Sequence, residues 1–407
     1  MTTTSIIIAQ LSDFTVVMPH ATYDQDDILC WLAAAHARVE TLRTPKENGE
    51  IKESWDQLNS KMRKSFELFG CKKSRISTRS FDVLDVGNIK WDELRLYNLN
   101  LPQGDIPTTS LYGKDMGQRT KFFRERSRSL FHRFFPQESH PPEHIIHVSC
   151  TGYFSPSPAQ SLVNLNRWMK KTNVTHAYHM GCYASIPSIR LAEGLLSALQ
   201  KKKNSPSAGV NTIDIVHTEM CSLHVNLTDH SPEQIVIQSL FADGHIKYSL
   251  QPFDAESKNT LALIVIKEEI IEDTEELMTW SPDSWGMTMT LSREVPKKIA
   301  KHVLTFVSEM LSEAQLPIKE IFQNGIFAIH PGGPKIIDSV QSLLGLREDQ
   351  VQHSQEILFS RGNMSSATLP HIWKNLVEDA TISSGKIIVS LAFGPGLTIF
   401  GSVMRKS

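Results

Sequence analysis

Short apolar runs alternate with longer amphipathic stretches along most of this chain, and each change of period predicts a change of element. The run over residues 6–9 predicts a first strand. Residues 26–35, with two acids ahead of an Ala-rich run, predict a helix in the orientation that the macrodipole favours. Residues 46–79 are polar and rich in Lys and Arg, with helical stretches around 55–68, and 99–112 carry turn residues and two prolines, which makes this region the least readable. Strands are predicted at 144–150, 176–180, 213–218, 261–267, 325–330, 386–392 and 397–404. Helices are predicted at 117–134, 159–171, 186–201, 296–311, 334–344 and 365–380. Such alternation argues for a layered α/β architecture. Two comparable halves, 1–247 and 248–407, are expected, although no repeat of residue identity links them. The acidic run 268–276 between them reads as a solvated segment.

Composition narrows this picture mainly by exclusion. A chain of 407 residues is too long for one small core. With 42 Lys+Arg against 44 Asp+Glu, no overall field draws it to nucleic acid or an anionic membrane. Five scattered cysteines without a CxxC pair suggest neither a disulfide framework nor a thiolate metal site, and a reducing cytoplasm is the simplest setting. The first residues lack the basic region of a signal peptide. The longest apolar stretch, 387–404, is broken by Gly394-Pro395-Gly396 and reads as two strands around a turn, not as a membrane span.

Candidate chemistry lies in three segments. In the first, a strand passes through Gly181 to Cys182 just ahead of the helix predicted at 186–201. Amide N–H groups at a helix N-terminus favour thiolate over thiol, so a lowered thiol pKa is expected there. In the second, an apolar strand delivers His330 to a glycine turn, His330-Pro331-Gly332-Gly333-Pro334. In the third, Gly362-Asn363-Met364-Ser365-Ser366-Ala367 puts an amide side chain just before a helix, where Asn is also a common cap. Pro370 inside that helix is expected to bend or tighten it.

The three segments in this order, with Gly181-Cys182-Tyr183-Ala184, Leu240-Phe241-Ala242-Asp243-Gly244, Leu291-Ser292-Arg293-Glu294-Val295-Pro296 and the ending Phe393-Gly394-Pro395-Gly396-Leu397-Thr398, resemble the chalcone synthase family of type III polyketide synthases. The likeness runs from about residue 145 to 398. It implies a thiolase-like fold of two similar αβαβα halves, the first carrying the nucleophilic Cys and the second the His and Asn, in a homodimer. It implies Cys182, His330 and Asn363 as the catalytic set, and a decarboxylative Claisen condensation of malonyl-CoA with an acyl-CoA starter held on Cys182. The CoA thioesters are substrates, and no metal or other cofactor is implied. His330 and Asn363 would donate to a thioester oxygen, and His330 as an imidazolium would lower the Cys182 pKa further. By the same resemblance Phe241 and Met289 stand at the mouth of the acyl cavity, Trp280 on its floor, Ser157 near the dimer interface and Lys73 among cations for CoA phosphates. Cys150 and Cys221 read as pocket wall. Two alternatives share the triad: a ketoacyl-synthase-III-like enzyme that makes one condensation with an acyl carrier protein, and a catalytically silent thiolase-fold subunit.

Overall fold

In the computed structural model, which describes residues 7–43, 53–102, 106–202 and 211–407, the apolar runs lie side by side in one mixed sheet of nine strands. Their order is Ile326–Ile329, Ile387–Gly394, Thr398–Lys406, Leu261–Ile270, Ala9–Val17, Gly244–Pro252, Ile213–Glu219, His144–Ser149 and Asn173–Tyr178. His144–Ser149 runs parallel to both of its neighbours, as does Ile326–Ile329 to Ile387–Gly394, and the other pairs are antiparallel. The central strand, Ala9–Val17, begins where the predicted one ends, and Ile6 lies outside the described residues. It pairs with Gly244–Pro252 along most of its length and with Leu261–Ile270 only at Gln10 and Leu11, so the two sets of strands meet there. Position 247/248 falls inside Gly244–Pro252, and the turn after Pro252 separates the two sets.

Helices cover both faces, and two groups of buried apolar side chains form the core. One holds Ile145, Ile146, Ile213, Ile215 and Trp373. The other is built round helix Val295–Glu313 and strand Thr398–Lys406. Their packing requires Gly401, because a Cβ there would stand 2.7 Å from both the Phe306 and the Met310 side chains.

Two predicted helices differ from the observed ones. The helix expected at 159–171 is Pro158–Leu165, and the chain leaves it through Arg167 in a left-handed conformation (φ 57°). The helix expected at 365–380 is a 3₁₀ turn, Ser365–Ala367, followed by Thr368–Glu378. Pro370 therefore falls in the first turn of an α-helix, where its missing N–H costs nothing and no bend is needed. Among the described residues, no helix is long and apolar enough to cross a membrane. The five cysteines are unpaired.

Candidate active site

The segments bearing Cys182, Ser365 and Pro395 reach one mostly apolar cavity, whereas His330 and Asn363 are not among the residues of its wall. Cys182 follows Gly181, whose φ of +82° turns the chain from strand Asn173–Tyr178 toward helix Ser185–Lys202. A side chain at Gly181 would meet Pro395 at 2.7 Å, and one at Gly394 would meet Tyr183 at 2.3 Å, so the glycine turn near the C-terminus seats directly against the cysteine loop. Cys182 Sγ lies 3.6 Å from Ser365 Oγ. Ser365 N–H donates to Asn363 Oδ1 (2.9 Å), and Asn363 Nδ2 faces the Gly332 carbonyl at 3.5 Å, two residues beyond His330. These contacts link the cysteine segment to the asparagine segment, and the asparagine segment to the turn that follows His330.

The Asn363 amide has a defined orientation. Its Oδ1 accepts from Ser365 N–H and from the Thr368 hydroxyl (3.4 Å), so oxygen and nitrogen are told apart by their partners. The long 3.5 Å contact of Nδ2 leaves donor capacity to spare. His330 is fully buried, and neither ring nitrogen has a hydrogen-bond partner among the described residues. Leaving such a group unsatisfied costs about 1–3 kcal/mol. Burial holds its pKa down to about 3, so the imidazole is neutral.

The thiol departs from the sequence expectation. Burial pushes Cys182 up to about 12, and the Glu219 carboxylate raises it further against the lowering by the Ser365 hydroxyl. An imidazolium partner is also lacking, since His330 is neutral. Desolvation thus outweighs the helix N-terminus, and the resting pair is thiol and neutral imidazole. Alkylation of Cys182 by iodoacetamide should therefore rise about tenfold per pH unit from about pH 6 to 10, because only the thiolate reacts. Peptide-resolved mass spectrometry would show this, and a plateau near neutrality would contradict it.

The cavity wall includes Phe241, Met289, Trp280, Cys150 and Cys221 as expected, together with Met278, Met287, Ile237 and His224. Trp280 and Met289 face each other across the hairpin Met278–Pro282/Met287–Leu291. The Trp280 indole N–H donates to the Cys150 carbonyl (2.6 Å) and its ring meets His224 edge-on at 5.6 Å, which holds the bulky ring over the cavity. Ser157 and Lys73 do not reach this wall. Ser157 is buried as the N-cap of Pro158–Leu165, where its hydroxyl accepts from Gln160 N–H, and Lys73 Nζ pairs with Asp24 at 2.5 Å.

Sequence reading overlooked two parts of the site. Ser365 has φ 51° and its Oγ lies 2.8 Å from Cys150 Sγ as well as near Cys182 Sγ, so it bridges two cavity thiols. Glu219, fully buried, accepts from Thr151 Oγ1 (2.8 Å), Cys150 N–H and Ser366 Oγ, and burial raises its pKa. Only the serine pair within the asparagine motif could have hinted at them.

Residues 262–407 match the model of the C-terminal domain of chalcone and stilbene synthases. A putative chalcone synthase of Bacillus subtilis is 29% identical over 277 residues, 66% of this chain and 73% of its own. The C-terminal part of the chain is thus similar to chalcone and stilbene synthases. A probable polyketide synthase of Dictyostelium discoideum is 30% identical over 266 residues, 64% of this chain, and the match spans only 8% of that much longer protein. The crystal structure of the C-terminal type III polyketide synthase domain of the Dictyostelium hybrid Steely1 superposes with a TM-score of 0.75 at 22% identity, covering 98% of this chain and 99% of that one. The fold is that of this type III polyketide synthase domain.

Proposed function

We propose that the chain condenses an acyl-CoA starter with malonyl-CoA, as a polyketide-type acyltransferase that carries the growing acyl group on Cys182. The observation that carries this reading is a buried thiol on an apolar cavity wall, linked through Ser365 to an Asn363 amide with donor capacity to spare and on to the segment bearing an unpartnered His330.

In the first step the Cys182 thiol gives its proton to neutral His330 and the thiolate attacks the acyl-CoA carbonyl. The CoA thiolate leaves and takes up a proton. Malonyl-CoA then loses carbon dioxide, and the electron pair of the broken bond passes into the thioester as an enolate. His330 N–H and Asn363 Nδ2–H donate to that oxygen, whose charge grows in the transition state. The enolate carbon attacks the acyl-cysteine, a carbon–carbon bond forms and Cys182 leaves as thiolate. The apolar wall suits an acyl chain, and Trp280 shortens the space in which it can grow.

Intact-protein mass spectrometry after incubation with a panel of acyl-CoAs should show a single acyl adduct at Cys182. Malonyl-CoA should then discharge it with release of carbon dioxide and a chain-extended product. A protein that takes no acyl group from any CoA would overturn the reading.

A further inference from the structure

Arg79 is a fully buried cation on the cavity wall that forms no ion pair with any described residue. Its Nη1 donates to oxygens at one place, the C-terminal end of helix Pro232–Leu240, and its Nη2 has no partner among the described residues. A helix leaves its last four carbonyls without internal partners and concentrates negative potential there. Here all four are met. Arg79 Nη1 donates to Gln238 O (2.7 Å) and Phe241 O (2.8 Å), Gln25 Nε2 donates to Ser239 O (2.9 Å), and the backbone N–H of Asn363 donates to Leu240 O (2.9 Å). Gln25 completes the unit by accepting from Arg79 Nε (2.7 Å) and donating to Cys71 O (2.7 Å). The next residue on the strip, Ala242, donates its N–H to Asn363 O (2.8 Å).

This helix end is thus the joint on which Asn363 hangs and from which the Phe241 ring enters the cavity. Cys182 stands beside the Gly181 turn, which packs on Pro395, and it touches the Asn363 segment only through Ser365 Oγ, at 3.6 Å. A close approach reinforces the joint: Gly362 sits so near Arg79 that a Cβ there would stand 2.9 Å from Arg79 Cγ.

We propose that Arg79 and Gln25 are positioning residues for condensation: a buried clamp on three of the four terminal carbonyls of helix Pro232–Leu240, the fourth being met by Asn363 N–H, that aims the Asn363 amide and the Phe241 ring at the reacting thioester. The clamp rests on the function proposed above, since it matters to catalysis only if Asn363 donates to the enolate oxygen. A donor displaced by about 1 Å loses about a hundredfold in rate. Removing the clamp should slow the step that uses Asn363 and spare the loading of Cys182.

The test compares wild type with Arg79→Met in two half-reactions: acyl transfer from acyl-CoA to Cys182, followed as the mass adduct, and malonyl-CoA-dependent release of carbon dioxide and product. Arg79→Met should load Cys182 within about threefold of wild type while condensation falls about a hundredfold, expressed in kcat and not in the KM for acyl-CoA. Where Arg79→Met does not fold, Gln25→Met, which removes one arm of the clamp, should show the same split at about tenfold. Parallel loss of both half-reactions, or loss of neither, overturns the clamp. Failure of the wild type to load Cys182 at all overturns the reading of the site, and the clamp's catalytic part with it.

Discussion

Cys182→Ala is expected to abolish condensation, a fall of at least about 10⁴-fold, because no other group is placed to hold the acyl chain. Cys150 and Cys221 share the cavity wall, yet burial and the neighbouring carboxylates hold both thiols well above the ordinary range. They are therefore poor substitutes. The fold should survive, since the change removes one sulfur and costs about 1 kcal/mol. Circular dichroism and thermal melting of the variant beside product analysis would check both halves, and an active variant would remove Cys182 from the mechanism. Malonyl-CoA decarboxylation, which uses the two donors and not the thiol, should persist.

The second large effect belongs to Asn363→Asp. This change keeps an oxygen to accept from Ser365 N–H and Thr368 Oγ1 but replaces the donating Nδ2 by a second acceptor. Decarboxylation and condensation should both fall by about 10²–10³, or about 2.7–4 kcal/mol of lost transition-state stabilisation. Acyl loading on Cys182 should change far less. Steady-state release of carbon dioxide, measured beside the adduct mass, separates the two. Equal loss in both steps would mean that Asn363 acts only as the local cap that its place before a helix also permits.

Much of the fold was legible because strand and helix leave different periods in a sequence. The strands near 144–150, 213–218 and 397–404 and the helix near 296–311 lie within a few residues of their observed places. The failures share a cause. The helix expected through 171 stops at Leu165 because Arg167 takes a left-handed conformation, and of the bend or tightening expected at Pro370 only the tightening is found, as a 3₁₀ turn just ahead of it. Local pattern cannot show either backbone choice. Ser157, placed near the dimer interface by resemblance, caps the helix Pro158–Leu165, a role set by its own neighbours.

The chemistry divides along the same line. Three residue types in characteristic local settings, a cysteine after a glycine ahead of a helix, a histidine at a strand end and an asparagine after a glycine, carried the family resemblance and named the candidate site, because each setting is encoded by a few adjacent residues. Only the tertiary structure decided the protonation state of that site. The helix N-terminus predicts a thiolate, but burial keeps Cys182 a thiol and His330 a neutral base, and desolvation depends on everything packed around them. Likewise only the fold could bring Arg79, Gln25 and Asn363 to one helix end. Those residues are separated by as many as 338 positions, and no local pattern records a partnership made across that distance.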